Sequence, residues 1–247
     1  MNQETSLHQV FQRFQFFISP EHPCSYLDNQ EARTVFIDPG ATVNMQDYGT
    51  LIEAGFRRSG ENIYRPACEY CKLCIPLRIP VNEFKPNRAQ RRSYKTNQLL
   101  TTSIVTNNYN EEHYSLYRKY MQHRHPGGGM DDDDPEAYMR VVSSSWSDTK
   151  LIEFRDQEQL VAIAVVDILQ NAFSAVYTFF DPDYQARSPG VYAILTMIDL
   201  ARSRGKSWLY LGYWNPQCQK MSYKNNYHPH ETYQNMTWSI PDHKSHN

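Results

Sequence analysis

Three cysteines stand at regular spacing in Cys68-x-x-Cys71-x-x-Cys74, and no other stretch of the 247-residue chain limits its folding so tightly. Thiolates at that spacing can turn inward around one tetrahedral ion, with a fourth ligand closing the site. Cys24, in the turn-like Pro23-Cys24-Ser25-Tyr26, is the candidate fourth ligand. Zinc suits such a set, and four thiolates also suit an iron–sulfur cluster. The alternative is four small hydrophobic side chains packed with no ion among them. A disulfide framework fits less well: the five cysteines are an odd number, and this spacing belongs to metal or redox centres in cytosolic proteins.

Around this cluster the chain has the means for an ordinary core, with 40% hydrophobic residues and a length that suits one large domain or two small ones. No apolar run approaches the roughly 20 residues that span a bilayer. Met1 to Thr5 lack the basic and apolar regions of a secretory signal, so the expected residence is cytoplasmic, with no membrane partner. A net charge of −2 excludes a bulk polyanion binder; any contact with nucleic acid needs a local patch.

Periodicity places the elements. Residues 7 to 18 suit helix or strand equally, and Glu21-His22-Pro23-Cys24 breaks them. Asp47 to Ala54 reads as a helix capped by Asp47 and ended by Gly55. Pro76-Leu77-Arg78-Ile79-Pro80-Val81 reads as a short edge strand, because proline cannot donate to a central ladder. A helix is expected over Glu111 to Met121, with Tyr114, Tyr117 and Met121 on one face. Gly127-Gly128-Gly129 and Asp131 to Asp134 make a solvated loop. Beyond it, strands at Leu160–Ile168 and Ser174–Phe180, a helix at Val191–Arg202 and a strand at Trp208–Tyr213 alternate. The boundary between two domains, 1–110 and 111–247, is expected near residue 110.

Three further clusters carry chemistry. Lys85, Arg88, Arg91, Arg92 and Lys95 form a run without one acid among them, able to track a phosphate backbone or simply to solvate a face. Asp181 closes a strand just before Ser188-Pro189-Gly190, where a helix N-terminus can hold a phosphate; backbone needs of the turn explain the same residues. Lys220 and Lys224 are four apart beside Tyr213, Trp214 and Tyr223, a set that can grip a terminal nucleotide if it is more than a surface pair.

The order of these clusters is more specific than any one of them. Thr42-Val43-Asn44-Met45-Gln46-Asp47-Tyr48, Gly55-Phe56-Arg57-Arg58-Ser59-Gly60, Tyr64-Arg65-Pro66 with the cysteine triplet, and Pro76-x-Arg78-Ile79-Pro80-Val81 through Arg91-Arg92 resemble the N-terminal domain of the arginyl-tRNA–protein transferase family. Arg124-His125-Pro126, Tyr177-Thr178-Phe179-Phe180-Asp181-Pro182 and Leu211-Gly212-Tyr213-Trp214 through Tyr223-Lys224 resemble its C-terminal domain, so the likeness runs from about Phe11 to Trp238. Its compact length is similar to the bacterial branch of aspartate/glutamate leucyltransferases. The resemblance implies an α+β fold: a cysteine-containing N-terminal domain and a GNAT-like C-terminal domain with a mixed sheet. It also implies leucine transfer from leucyl-tRNA to an N-terminal Asp or Glu, creating a degradation signal. An arginyl-tRNA donor and an acyl-CoA N-acyltransferase are the competing readings. Where the family has Ser-Leu-Gly this chain has Ser188-Pro189-Gly190, and proline at the first helical position is tolerated.

An aminoacyl ester is already activated, so the chemistry requires no cofactor, only positioning, a proton acceptor and oxyanion stabilisation. Asp181 is the first choice as that acceptor, with Tyr177 and Tyr213 as catalytic alternatives. Arg57, Arg58 or Arg78 would pair with the acceptor's carboxylate. Lys85, Arg88, Arg91, Arg92, Lys95, Ser188, Gly190, Lys220 and Lys224 would hold tRNA. Cys24, Cys68, Cys71 and Cys74 would hold any zinc or iron–sulfur cluster.

Overall fold

A computed structural model describes residues 3–124 and 134–241, so the Gly127–Gly129 and Asp131–Asp133 loop and His125-Pro126 lie outside the described residues. The chain begins α1 (Gln3–Arg13), β1 (Phe16–Ile18), β2 (His22–Pro23), β3 (Glu31–Ala32), β4 (Thr34–Ile37), α2 (Met45–Glu53), β5 (Arg57–Ser59), β6 (Asn62–Pro66) and β7 (Ile75–Pro80). Then come α3 (Arg88–Asn97), β8 (Thr101–Thr106), α4 (Glu111–Arg124), α5 (Pro135–Val142), β9 (Thr149–Asp156), β10 (Gln159–Ile168) and β11 (Ala172–Phe180). A 3₁₀ turn (Pro182–Arg187) leads into α6 (Pro189–Ser203), β12 (Trp208–Trp214), α7 (Gln219–Ser222), a second 3₁₀ turn (Tyr223–Asn226), β13 (Glu231–Gln234) and β14 (Thr237–Ser239).

Eight strands form one mixed sheet in the order β14-β13-β7-β12-β11-β10-β9-β8, and β1-β4-β6-β5 form a separate antiparallel sheet. The architecture is the expected mixed α and β. Alternation along β10 turns Ala162, Ala164 and Val166 to one face, against α6, and Ile163 and Val165 to the other, against Tyr114, Tyr117 and Tyr138 of α4 and α5. Tyr48, Leu51, Ile52 and Phe56 build a third core with Ala172 and Tyr210, joining the small sheet to the large one.

Two expectations change. Asn44, not Asp47, caps α2: its Oδ1 accepts from the amides of Gln46 and Asp47, each at 2.9 Å, and the Asp47 carboxylate accepts from the Asn44 amide at 3.1 Å. Asp47 is the third helical residue of a capping box, as its spacing from Asn44 allows. Strand β7 is central rather than an edge, lying between β12 and β13. Its prolines are tolerated on the β13 side because that ladder pairs only Leu77 and Arg78.

The one parallel pairing of the large sheet positions the site. β11 and β12 pair at Ala172–Trp208, Phe173–Leu209 and Ser174–Tyr210, and their registered pairing stops there. On its other edge β12 shifts register against β7 between Tyr210 and Gly212, where Gly212 takes φ +79°, a value that favours glycine.

Candidate active site

Where the parallel ladder ends, β11 and β12 have backbone groups to satisfy, and a side chain from another strand satisfies part of them. Arg57 of β5 donates to Ser174 Oγ at 3.1 Å and to the Ala175 carbonyl at 2.5 Å. A Cβ on Gly212 would stand 3.3 Å from Arg57 Nε, so the glycine also leaves room for the guanidinium. Among the described residues Arg57 has no ion pair.

A cavity of about 360 Å³ opens at the N-terminus of α6, lined by Arg92, Ser93, Arg187, Ser188, Val191 and Tyr223 among others. Ser188 holds φ +56° and Pro189 occupies the first helical position, which turns the chain sharply into the helix. The first turn carries no acidic residue, so the positive end of the helix dipole is uncompensated within it. Ser188 and Arg92 line this cavity together, Gly190 follows in the first turn of α6, and Arg88 lies one turn before Arg92 on α3. Lys85, Arg88, Arg91, Arg92 and Lys95 are all exposed.

The side of α3 opposite those cations is polar and buried. Ser93 donates to the Ser188 carbonyl at 3.2 Å, Asn97 to the Arg187 carbonyl at 2.8 Å, and Gln90 to the Asn226 carbonyl at 3.1 Å. These three residues tie the basic helix to both turns that frame the cavity. They were not among the expected site residues, although Gln90, Ser93 and Asn97 fall on one helical stripe at spacings of three and four.

A second cavity, of about 350 Å³, holds the cysteines. Cys24, Cys68, Cys71 and Cys74 line it with Arg65, Tyr213 and Asn215. Burial pushes the Cys74 thiol up to about 11, so this group stays protonated at neutral pH. Among the described residues no group of three or more histidine, cysteine, aspartate or glutamate side chains is placed to hold a metal ion. The four cysteines share one cavity without forming a ready-made zinc or iron–sulfur site, and no chemical step is routed through one.

Lys224 lines neither cavity but is one residue from the lining of each. Its neighbour Tyr223 lines the first, and Tyr213, whose carbonyl accepts from Lys224 Nζ at 2.7 Å, lines the second. Burial, and then the charge of Arg57, push this amine down to about 7. It is not the surface phosphate ligand expected from its spacing to Lys220: α7 stops at Ser222, leaving Lys220 exposed and Lys224 turned to the β12 carbonyl.

Several expected site groups are already engaged. Asp181 caps the first 3₁₀ turn through the Asp183 amide at 3.0 Å and ion-pairs with Lys119 at 2.6 Å. Tyr213 donates its hydroxyl to the Gly55 carbonyl at 2.9 Å, and burial raises its pKa well above the usual phenol range. Tyr177 points at Met121 Sδ, 3.6 Å away, and burial, then Tyr120 and Tyr117, keep its phenol protonated.

The expected acceptor-binding arginines are held inside the fold. Arg58 grips Asp167 with two nitrogens at 2.7 Å each, donates also to Thr149 at 3.0 Å, and both side chains of the pair are fully buried. Arg78 lies 3.7 Å over Trp208 and 4.4 Å from the Trp238 ring, and pairs with Glu231 at 2.6 Å. Neither has a fork left for a ligand.

The family model described as arginine-tRNA-protein transferase, N terminus, matches residues 22–92, and the one described as its C terminus matches 112–234. An aspartate/glutamate leucyltransferase of Nitrosococcus oceani is 50% identical over 92% of this chain and 96% of its own length. That of Saccharophagus degradans is 48% identical over 90% and 94%. Among solved structures, the C-terminal domain of a putative lysylphosphatidylglycerol synthetase from Agrobacterium fabrum superimposes with TM-score 0.47 at 11% identity, over 87% of this chain and 74% of that one. In the described residues no helix is long and apolar enough to cross a membrane.

Proposed function

The chain belongs to the arginine-tRNA–protein transferase family, and from that premise we propose that it moves leucine from leucyl-tRNA onto the N-terminal Asp or Glu of acceptor proteins. The observation that carries this reading is the identity of 50% and 48% to leucyltransferases along nearly their whole length. The geometry supplies a route. The tRNA 3′ end lies in the cavity at the α6 N-terminus, with its phosphates toward Arg92 and the first-turn amides of α6. The acceptor enters the cysteine-lined cavity, where Arg65 and Lys72 are the cations available to its side-chain carboxylate.

Lys224 follows Tyr223 of the first cavity and bonds the Tyr213 carbonyl of the second, and its neutral form takes the proton of the acceptor ammonium. The freed amine attacks the ester carbonyl, the new C–N bond forms, and the C–O bond to the ribose breaks. Lys224 returns its proton to the departing ribose oxygen, and the second ammonium proton leaves the new amide nitrogen for solvent. Arg57 lends positive charge to the developing oxyanion from the end of the parallel ladder.

The test is purified protein with leucyl- or arginyl-tRNA and peptides beginning Asp, Glu, Lys or Ala. Leucine is expected on Asp and Glu peptides alone. Labelling from arginyl-tRNA with none from leucyl-tRNA overturns the donor, and equal labelling of Lys or Ala peptides overturns the acceptor.

A further inference from the structure

On the flank of α3 away from the α6 N-terminus lies a third cavity, of about 450 Å³, between α3 and α6. Its floor is apolar, from Phe84, Pro86 and Leu195, and Tyr94 forms a wall. Tyr94 is 42% exposed, and its ring is held against Tyr192 at a centroid distance of 5.5 Å. An aromatic face fixed from behind and open in front is a stacking platform.

The rim is cationic. Arg91 and Lys95 line it, one turn apart on α3, and neither has an ion pair among the described residues. Arg202 also lines it, donating to the Val81 and Phe84 carbonyls and holding Asp199, the one acid of the lining, at 3.2 Å. Burial raises the Asp199 carboxyl above its ordinary value, and the charge of Arg202 opposes that rise. Three cations thus face one acid that is already paired.

The two cavities lie on opposite flanks of one basic helix. Ala89, Arg92 and Thr96 line the first; Arg91, Tyr94 and Lys95 line the third. A helix is about 10–12 Å across with its side chains, so a single strand leaving the α6 N-terminus crosses the arginine ridge and reaches Tyr94 within a few nucleotides. Resting on the tRNA reading above, we infer that this groove is a nucleotide subsite: an unpaired base near the 3′ end of the tRNA stacks on Tyr94, with its phosphates on Arg91 and Lys95.

The test measures equilibrium binding of uncharged tRNA to the full-length protein across a salt series, with Tyr94→Leu, Tyr94→Phe and Lys95→Ala beside the wild type. Loss of one base–aromatic stack is expected to weaken Tyr94→Leu about fivefold or more. Its salt slope should match the wild type because no charge has changed. Tyr94→Phe, which keeps the aromatic face, should bind as the wild type does. Lys95→Ala should lower the slope by about one.

Wild-type affinity in Tyr94→Leu, with normal melting, overturns the subsite while leaving the tRNA reading intact. A wild-type protein that binds no tRNA sinks both. A Tyr94→Leu protein that melts early is replaced by Tyr94→Met, and wild-type affinity in that variant likewise overturns the subsite.

Discussion

The chain has two concentrations of arginine in its first hundred residues, and the fold treats them oppositely. Arg57 and Arg58 sit on a short strand pressed between sheets and are 8% and 5% exposed. Arg88, Arg91 and Arg92 sit on a helix and face solvent. Both sets have the residue type that binds carboxylates and phosphates. What separates them is where their partners lie. Arg58 finds Asp167, 109 positions away, and Arg57 finds Ser174 and Ala175, across the ladder end. The helix instead buries Gln90, Ser93 and Asn97 and leaves its arginines outward. Buried cations here build the site, and exposed ones are free to serve it.

The largest expected effect tests the buried half. Burial alone would lower the Arg58 pKa, but the hydrogen bonds and charge of Asp167 raise it, so the pair stays ionised. Removing one partner of such a pair leaves an uncompensated buried charge and typically costs about 3–5 kcal/mol. Asp167 also accepts from Tyr48 at 2.7 Å and Thr149 at 2.7 Å, which adds to the loss. Arg58→Ala should lower the denaturant midpoint sharply. An unchanged midpoint would place Arg58 with the ligand-binding arginines after all.

Lys224 comes next, because its amine is desolvated and has no ion pair among the described residues. Its pKa is depressed to about 7, so as pH rises through 7 the neutral base accumulates and the wild-type kcat/KM should climb and then level. Lys224→Met should lose about 10²–10⁴-fold in rate. Its remaining activity should rise only near the acceptor amine's own pKa, roughly 7.7–8.0. The sign for stability is separate. Between about 7 and the unfolded value of 10.5 the unfolded chain binds more protons, so the penalty this group places on folding, full below about 7, shrinks progressively as pH rises. A profile with the same limb in both proteins would remove Lys224 from the chemistry.

A smaller effect joins the two halves. Asn97→Leu deletes the donors to the Ser93 and Arg187 carbonyls, at 2.9 and 2.8 Å, and leaves both acceptors short of a partner. That loss typically costs about 1–3 kcal/mol. If the polar stripe positions the turn before α6, KM for leucyl-tRNA should rise more than kcat falls. Equal loss in both would make the stripe merely structural.

The sequence revealed elements better than partners. Leu160–Ile168, Ser174–Phe180 and Trp208–Tyr213 were legible as strands because β-branched and aromatic residues concentrate there, and all three are strands. The family was legible from motif order. The engagement of Arg57, Arg58 and Arg78 inside the fold was not, since Asp167, Ser174 and Glu231 lie more than a hundred positions away and no local spacing announces them. Lys224 misled for a related reason: its spacing from Lys220 suggests a shared helical face, but α7 ends after Ser222. Asp181 was read by its place at a strand end, a position that caps turns as readily as it moves protons.

The exposed half of the comparison yields the smallest change and the cleanest one. Arg92 lines the cavity at the α6 N-terminus, so Arg92→Ala should lower the slope of log affinity for tRNA against log salt by about one and leave melting unchanged. Arg92→Lys keeps the charge and should restore the slope, although a bidentate phosphate contact would be lost. Arg88→Ala, one turn earlier on the same exposed face, should act alike, and the pair should add because each neutralises its own phosphate. Arg58→Ala, in whatever fraction stays folded, should keep the wild-type slope. If Arg92→Ala kept the slope while Arg58→Ala reduced it, the assignment of exposed and buried arginines would have to be exchanged, and the tRNA path moved from α3 to the end of the parallel ladder.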